Sequence, residues 1–97
     1  MSKSIIRTYS AGVFFGEVTN QENTPAGVIV TINDCRRLWY WDGAASLSEL
    51  AMNGVKAPQQ CKFSVTVPSM MVAGVIEIIP CTDKAIDSIN AVKVWTA

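Results

Sequence analysis

The run from Cys35 to Glu49, CRRLWYWDGAASLSE, concentrates the groups best able to do chemistry in this chain. Arg36 and Arg37 offer guanidinium forks that suit phosphate or carboxylate. Trp39, Tyr40 and Trp41 follow with flat faces on which a ring can stack. The small residues Gly43 to Ala45 then lead into a helix start, where backbone N–H groups are free to meet an anion. Together these are the parts of a site for a nucleotide or another aromatic anion. The same three aromatics would serve equally as core or as a subunit interface, and that alternative stands beside the first.

Strand geometry separates the two arginines, because consecutive side chains point to opposite faces. Arg37 shares its face with Trp39 and Trp41 and is the expected anion ligand, while Arg36 sides with Leu38 and Tyr40. Ser46 already has a role as helix cap and would share an anion docked there. Arg7 and Tyr9, on the first strand, would neighbour this surface in a small barrel. The expected ligand-binding set is therefore Arg7, Tyr9, Arg37, Trp39, Trp41 and Ser46.

Catalytic chemistry is harder to assemble. The chain has no His, which removes the commonest general base and neutral metal ligand. Cys35, Cys61 and Cys81 stand at wide spacings with nothing to activate them, and they read as buried thiols. Asp and Glu are scattered, and no phosphate-binding glycine loop of standard spacing occurs. The expectation is a binding protein with no catalytic residues, no metal site and no cofactor.

The elements that must position these residues follow from composition and pattern. Ninety-seven residues with 49% hydrophobic and 16% charged side chains predict a single domain over 1–97 with a real core. The low charge fraction also predicts a homo-oligomer, with apolar surface covered by a partner subunit. Eight basic residues balance eight acidic ones, which argues against coating bulk nucleic acid. No apolar run approaches a membrane span and the first residues lack a signal-peptide core, so the expected location is the cytoplasm.

Ser4 to Thr19 reads as a hairpin or bent strand broken at Ala11-Gly12 and at Gly16, and Asn20 to Gly27 as an exposed loop. Val28 to Ile32 reads as a strand closed by a turn at Asn33-Asp34, with a further strand from Cys35 to Trp41. Ser46 and Glu49 form a capping box before Leu47, Leu50 and Ala51, and Asn53-Gly54 closes that helix. Cys61 to Val67 alternates as a strand ended by Pro68, and Val72 to Ile79 is a central strand. Thr82 caps a second helix with Ala85, Ile86 and Ile89 inside, and Val92 to Trp95 returns as an edge strand. The expected core contributors are Phe63, Val65, Val67, Val75, Ile76 and Ile78. The whole predicts an α+β fold: a strongly bent antiparallel sheet or small, partly open β-barrel of about six strands with two short helices.

Taken in order, RTYSAGVFFGEV, RRLWYWDGAASLSELAMNGV, CKFSVTV and VIEIIPCTDKAIDSI resemble a family of small, functionally unannotated proteins of tailed phages and prophages. The resemblance spans Arg7 to Trp95, and RRLWYW followed by GAASLSELA is its most specific part. It implies a protein acting in the host cytoplasm. Small phage proteins without catalytic residues include oligomeric sponges that sequester the cyclic nucleotide signals of host immunity, so the expected partner is a small anionic aromatic ligand such as a cyclic nucleotide. A virion-assembly or host-protein-binding module is the alternative. If Arg37 holds the anion, Arg37→Ala should weaken binding by about 1.5–3 kcal/mol without unfolding the chain, measured by calorimetric titration.

Overall fold

The computed structural model describes residues 2–96. Its framework is set by pairs of adjacent apolar residues that the strand repeat must send to opposite faces. Ile5 and Ile6 on β1 (Ser4–Thr8) and Phe14 and Phe15 on β2 (Val13–Thr24) are all buried. A sheet with two apolar faces needs two covers. Ile5 and Phe15 pack with Leu38, Phe63 and two helices, α1 (Leu47–Asn53) and α2 (Asp83–Asn90). Ile6 and Phe14 pack with Val30, Ile32, Cys35, Val72 and Val75, all from strands, so on this side the sheet covers itself by curling.

The curl closes a ring. β1 lies antiparallel between β2 and β5 (Val67–Pro80), and β3 (Gly27–Tyr40) pairs with both β2 and β5. The two-residue β4 (Lys62–Phe63) is added to the outer end of β3. The fold is thus α+β, with a strongly bent, ring-bonded antiparallel sheet of five strands and two short helices.

Bulges accomplish the bending. At Asn33-Asp34 the turn signal does not end a strand; Asp34 takes a φ of 50° and the β2–β3 register shifts between Phe15 and Glu17. Gly16 sits opposite, where a Cβ would run into Ile32 and the Asn33 carbonyl. The expected two strands are therefore one, and inward positions step from Ile32 to Cys35 across the bulge.

Five other expectations are corrected. Asn20 to Asn23 is strand rather than loop, because its backbone pairs with Val28 to Thr31 while its polar side chains stay exposed. The turn shrinks to Pro25-Ala26, held by Thr24 Oγ1, which donates to the Gly27 carbonyl at 2.7 Å and accepts from Ala26 N–H. Pro68 lies inside β5, on the stretch that has β3 on one side only, so its missing N–H costs no ladder bond there. The alternating run from Cys61 keeps only Lys62 and Phe63 in the sheet, and Val65 is 59% exposed. Ile76 is 53% exposed as well, because β5 bends between Val75 and Ile78, whereas Phe63 and Val75 are buried and Val67 and Ile78 half-buried. The last edge strand reduces to one parallel bridge, Val94 with Phe63.

The helices meet end to end through Thr82. Its N–H donates to the Ala51 carbonyl at 3.0 Å and its Oγ1 donates to the Met52 carbonyl at 2.6 Å, while the same oxygen caps α2 by accepting from Ala85 N–H. Gly54 ends α1 with a φ of 74° and lies where a Cβ would strike the Ser88 side chain, which itself accepts from Val55 N–H at 3.0 Å. Gly54→Ala should therefore cost about 2–4 kcal/mol from backbone strain and collision, read as a lower urea midpoint with an unchanged slope.

Candidate functional site

Arg36 and Arg37 do point to opposite faces. Arg36 is 4% exposed on the helix side: Nε donates to the Ser64 carbonyl at 2.9 Å, NH1 donates to the Ile89 carbonyl at 2.8 Å, and the guanidinium lies 5.4 Å from the Phe63 ring centre. Its second terminal nitrogen has no partner among the described residues. Burial lowers its pKa below the ordinary arginine value. Arg37 sits over Phe14, its partner across the β2–β3 ladder, at 4.9 Å. Its Nε is buried without a hydrogen-bond partner among the described residues.

Ser64 ties this region together. Its N–H donates to the Arg37 carbonyl at 2.9 Å, and its Oγ accepts from Arg37 N–H at 2.7 Å and donates to the Val65 carbonyl. Just before Ser64, Phe63 receives the C-terminal tail: its carbonyl accepts from Trp95 N–H at 3.0 Å.

That tail brings a second tryptophan to the first. Trp39 and Trp95 meet edge to face with ring centres 5.5 Å apart, and Lys62 Nζ lies 5.1 Å from the Trp95 ring centre. Trp39 is 53% and Trp95 41% exposed, beside exposed Tyr40 and Val94. Neither Lys62 nor Lys93 has a carboxylate partner among the described residues, where the ion pair is Arg7–Glu77 at 3.1 Å. A groove of about 400 Å³ opens between Pro58, Gln59 and Cys61 on one side and Ala91, Lys93, Val94 and Trp95 on the other.

None of the six residues expected from sequence lines this groove, and no two of them share a hydrogen bond, ion pair or ring contact among the described residues. Arg7 is engaged with Glu77, and Tyr9, in the β1–β2 turn, is 85% exposed. Trp41 lies beyond the end of β3 and packs half-buried against the helix-side core, so it does not share the exposed surface of Trp39. Ser46 accepts from Glu49 N–H at 3.1 Å, and the Glu49 carboxylate accepts from Ala45 N–H, which places an acidic group at the helix start. Trp95, Lys62 and Lys93 were absent from the expected set. Their signal was faint: one aromatic beside lysine-bearing strand-like segments far apart in the chain.

The thiols of Cys35 and Cys81 are not activated. Burial pushes Cys35 and Cys81 up to about 11, against a smaller opposing effect of Arg37 on Cys35 and of an Ile5 backbone hydrogen bond on Cys81. Cys61, at the groove, directs Sγ towards the Ala57 carbonyl at 3.6 Å. No group of three or more Cys, Asp or Glu side chains among the described residues is placed to hold a metal ion, and no helix is long and apolar enough to cross a membrane.

Fold and surface together define a small α+β protein, a ring-bonded sheet carrying two helices, with an aromatic and cationic face at one end. The chain belongs to the family described as Domain of unknown function (DUF6948), whose model matches residues 1–89. No curated protein and no solved structure matches the chain. The tail bearing Lys93 and Trp95 lies beyond the matched residues.

Arg36 should matter for stability. Arg36→Ala takes the side-chain donor from the Ser64 carbonyl and leaves the Ile89 carbonyl to the backbone N–H of Val92, and should cost about 3 kcal/mol in urea denaturation; Arg36→Lys should restore little, since an ammonium cannot span both acceptors as the planar fork does.

Proposed function

We propose that this chain is a non-enzymatic binding protein that sequesters a small nucleotide-type ligand at its aromatic and cationic end. The observation that supports this most is the exposed Trp39–Trp95 pair beside Lys62 and Lys93, which have no carboxylate partners among the described residues. Indole surfaces stack on bases, and uncompensated ammonium groups attract phosphate. Arg37, two residues before Trp39 on β3, is the further cation closest to this end in the chain. Arg7, Tyr9, Trp41 and Ser46 find less support, since each stands apart or is otherwise engaged.

The phage setting implied by the sequence resemblance gives the reading its context: a protein of the host cytoplasm that withdraws a nucleotide signal of immunity, acting as a homo-oligomer. A virion-assembly or host-protein-binding module is the second reading. The contiguous exposure of Trp39, Tyr40, Val65 and Val94 favours it, because such a patch suits a protein interface.

A thermal-shift panel of mononucleotides and cyclic di- and trinucleotides separates the two. A ligand at a hundred times its Kd adds about 2.7 kcal/mol, which for a domain of this size raises Tm on the order of 10 °C. A flat response to the whole panel, with a protein partner protecting Trp39 and Trp95 from quenching, would transfer the conclusion to the second reading.

A further inference from the structure

We propose that the groove between the 3-10 turn (Pro58–Gln60) and the C-terminal tail takes one flat aromatic ring carrying one anionic group, a ligand the size of a mononucleotide. This rests on the ligand-binding reading above and assigns it a location and a ligand size. The volume of about 400 Å³ lies near the lower end of small-molecule sites, roughly 300–1,000 Å³, which suits one ring and one anion rather than two linked nucleotides.

Trp95 supplies the stacking surface. Lys62 and Trp39 both touch its ring, yet neither lines the groove, so the groove side of the indole remains open to a ligand. An ammonium already held against the ring draws on its negative face, which disfavours a second cation and suits an electron-rich or anion-bearing ring. Lys93 stands in the groove wall, and among the described residues no Asp or Glu lines it, so the side-chain charge a ligand meets there is positive. Gln59 offers an amide donor and acceptor for a ring edge, and Pro58 an apolar wall.

The family match ends at residue 89, before Ala91, Lys93 and Trp95, so one whole wall lies outside the matched residues.

Calorimetric titration tests the assignment with adenosine monophosphate, adenosine, inorganic phosphate and an indole carboxylate. Adenosine monophosphate or the indole carboxylate should bind, with the stronger of the two identifying the anion. Adenosine and phosphate alone should each bind at least tenfold more weakly, and Trp95→Ala and Lys93→Ala should each weaken the best ligand at least tenfold. Both groove residues are exposed, and circular dichroism should show both variants folded. Binding that survives both substitutions, or is lost only in Arg37→Ala, overturns the groove while the ligand-binding reading stands. Adenosine binding as tightly as its monophosphate overturns the anionic requirement, and no binding by either aromatic anion overturns the groove, while the wider ligand-binding reading falls only with a flat response to the whole nucleotide panel.

Discussion

The guanidinium of Arg36 is the contact on which the aromatic end of the molecule depends. It grips the Ser64 carbonyl, beside the short β4, and the Ile89 carbonyl, at the end of α2. From these two points run the segments that form the aromatic face: Lys62 and Phe63 on one side, and the tail from Ala91 to Trp95 on the other. A buried arginine is costly unless its donors are used, and two of them are spent on carbonyls of segments that also meet through the Val94–Phe63 bridge and the Lys62–Trp95 contact. The α2 terminus is also where the partial negative charge of the helix collects, so the cation is placed where that charge favours it. Arg36 therefore adds to that bridge in setting the spacing between β4 and the tail.

The second constraint is the sheet with two apolar faces. Adjacent buried residues on β1 and β2 leave no solvent side, and the two helices are too short to cover more than one face. Curling is the remaining solution, achieved by bulges at Asp34, at Gly16 and along β5. This explains why apolar runs that look like simple alternating strands distribute themselves unevenly. Val75 and Ile78 turn inward while Ile76 between them faces water, because the bend in β5 interrupts the repeat of two.

Much of this architecture was legible in the sequence. The capping box at Ser46, the Gly54 stop, the Thr82 cap and the inner stripe of Ala85 and Ile89 are local signals, and local physics decides them. Strand limits were harder. Asn20 to Asn23 carries every composition mark of a loop, yet its backbone pairs with a partner it meets across a tight turn; ladder pairing, unlike helix capping, is decided by that partner. The opposite facing of Arg36 and Arg37 was also readable from strand geometry. What could not be read was that Trp39 finds Trp95, since 56 positions of chain separate them and the tail offers no periodicity to place it. Trp41 shows the converse: counting by twos from Trp39 puts them on one face, but β3 ends at Tyr40 and the chain turns Trp41 to the helix-side core.

The shared hydroxyl of Thr82 joins the negative pole of one helix to the positive pole of the next, since it donates to the end of α1 and accepts at the start of α2. α1 carries no basic residue in its last turn, and the positive end of α2 stands in its place. The two helices are thus wired in series, the negative end of one set against the positive end of the next, with Asp83 in the first turn of α2 adding its carboxylate at the same junction.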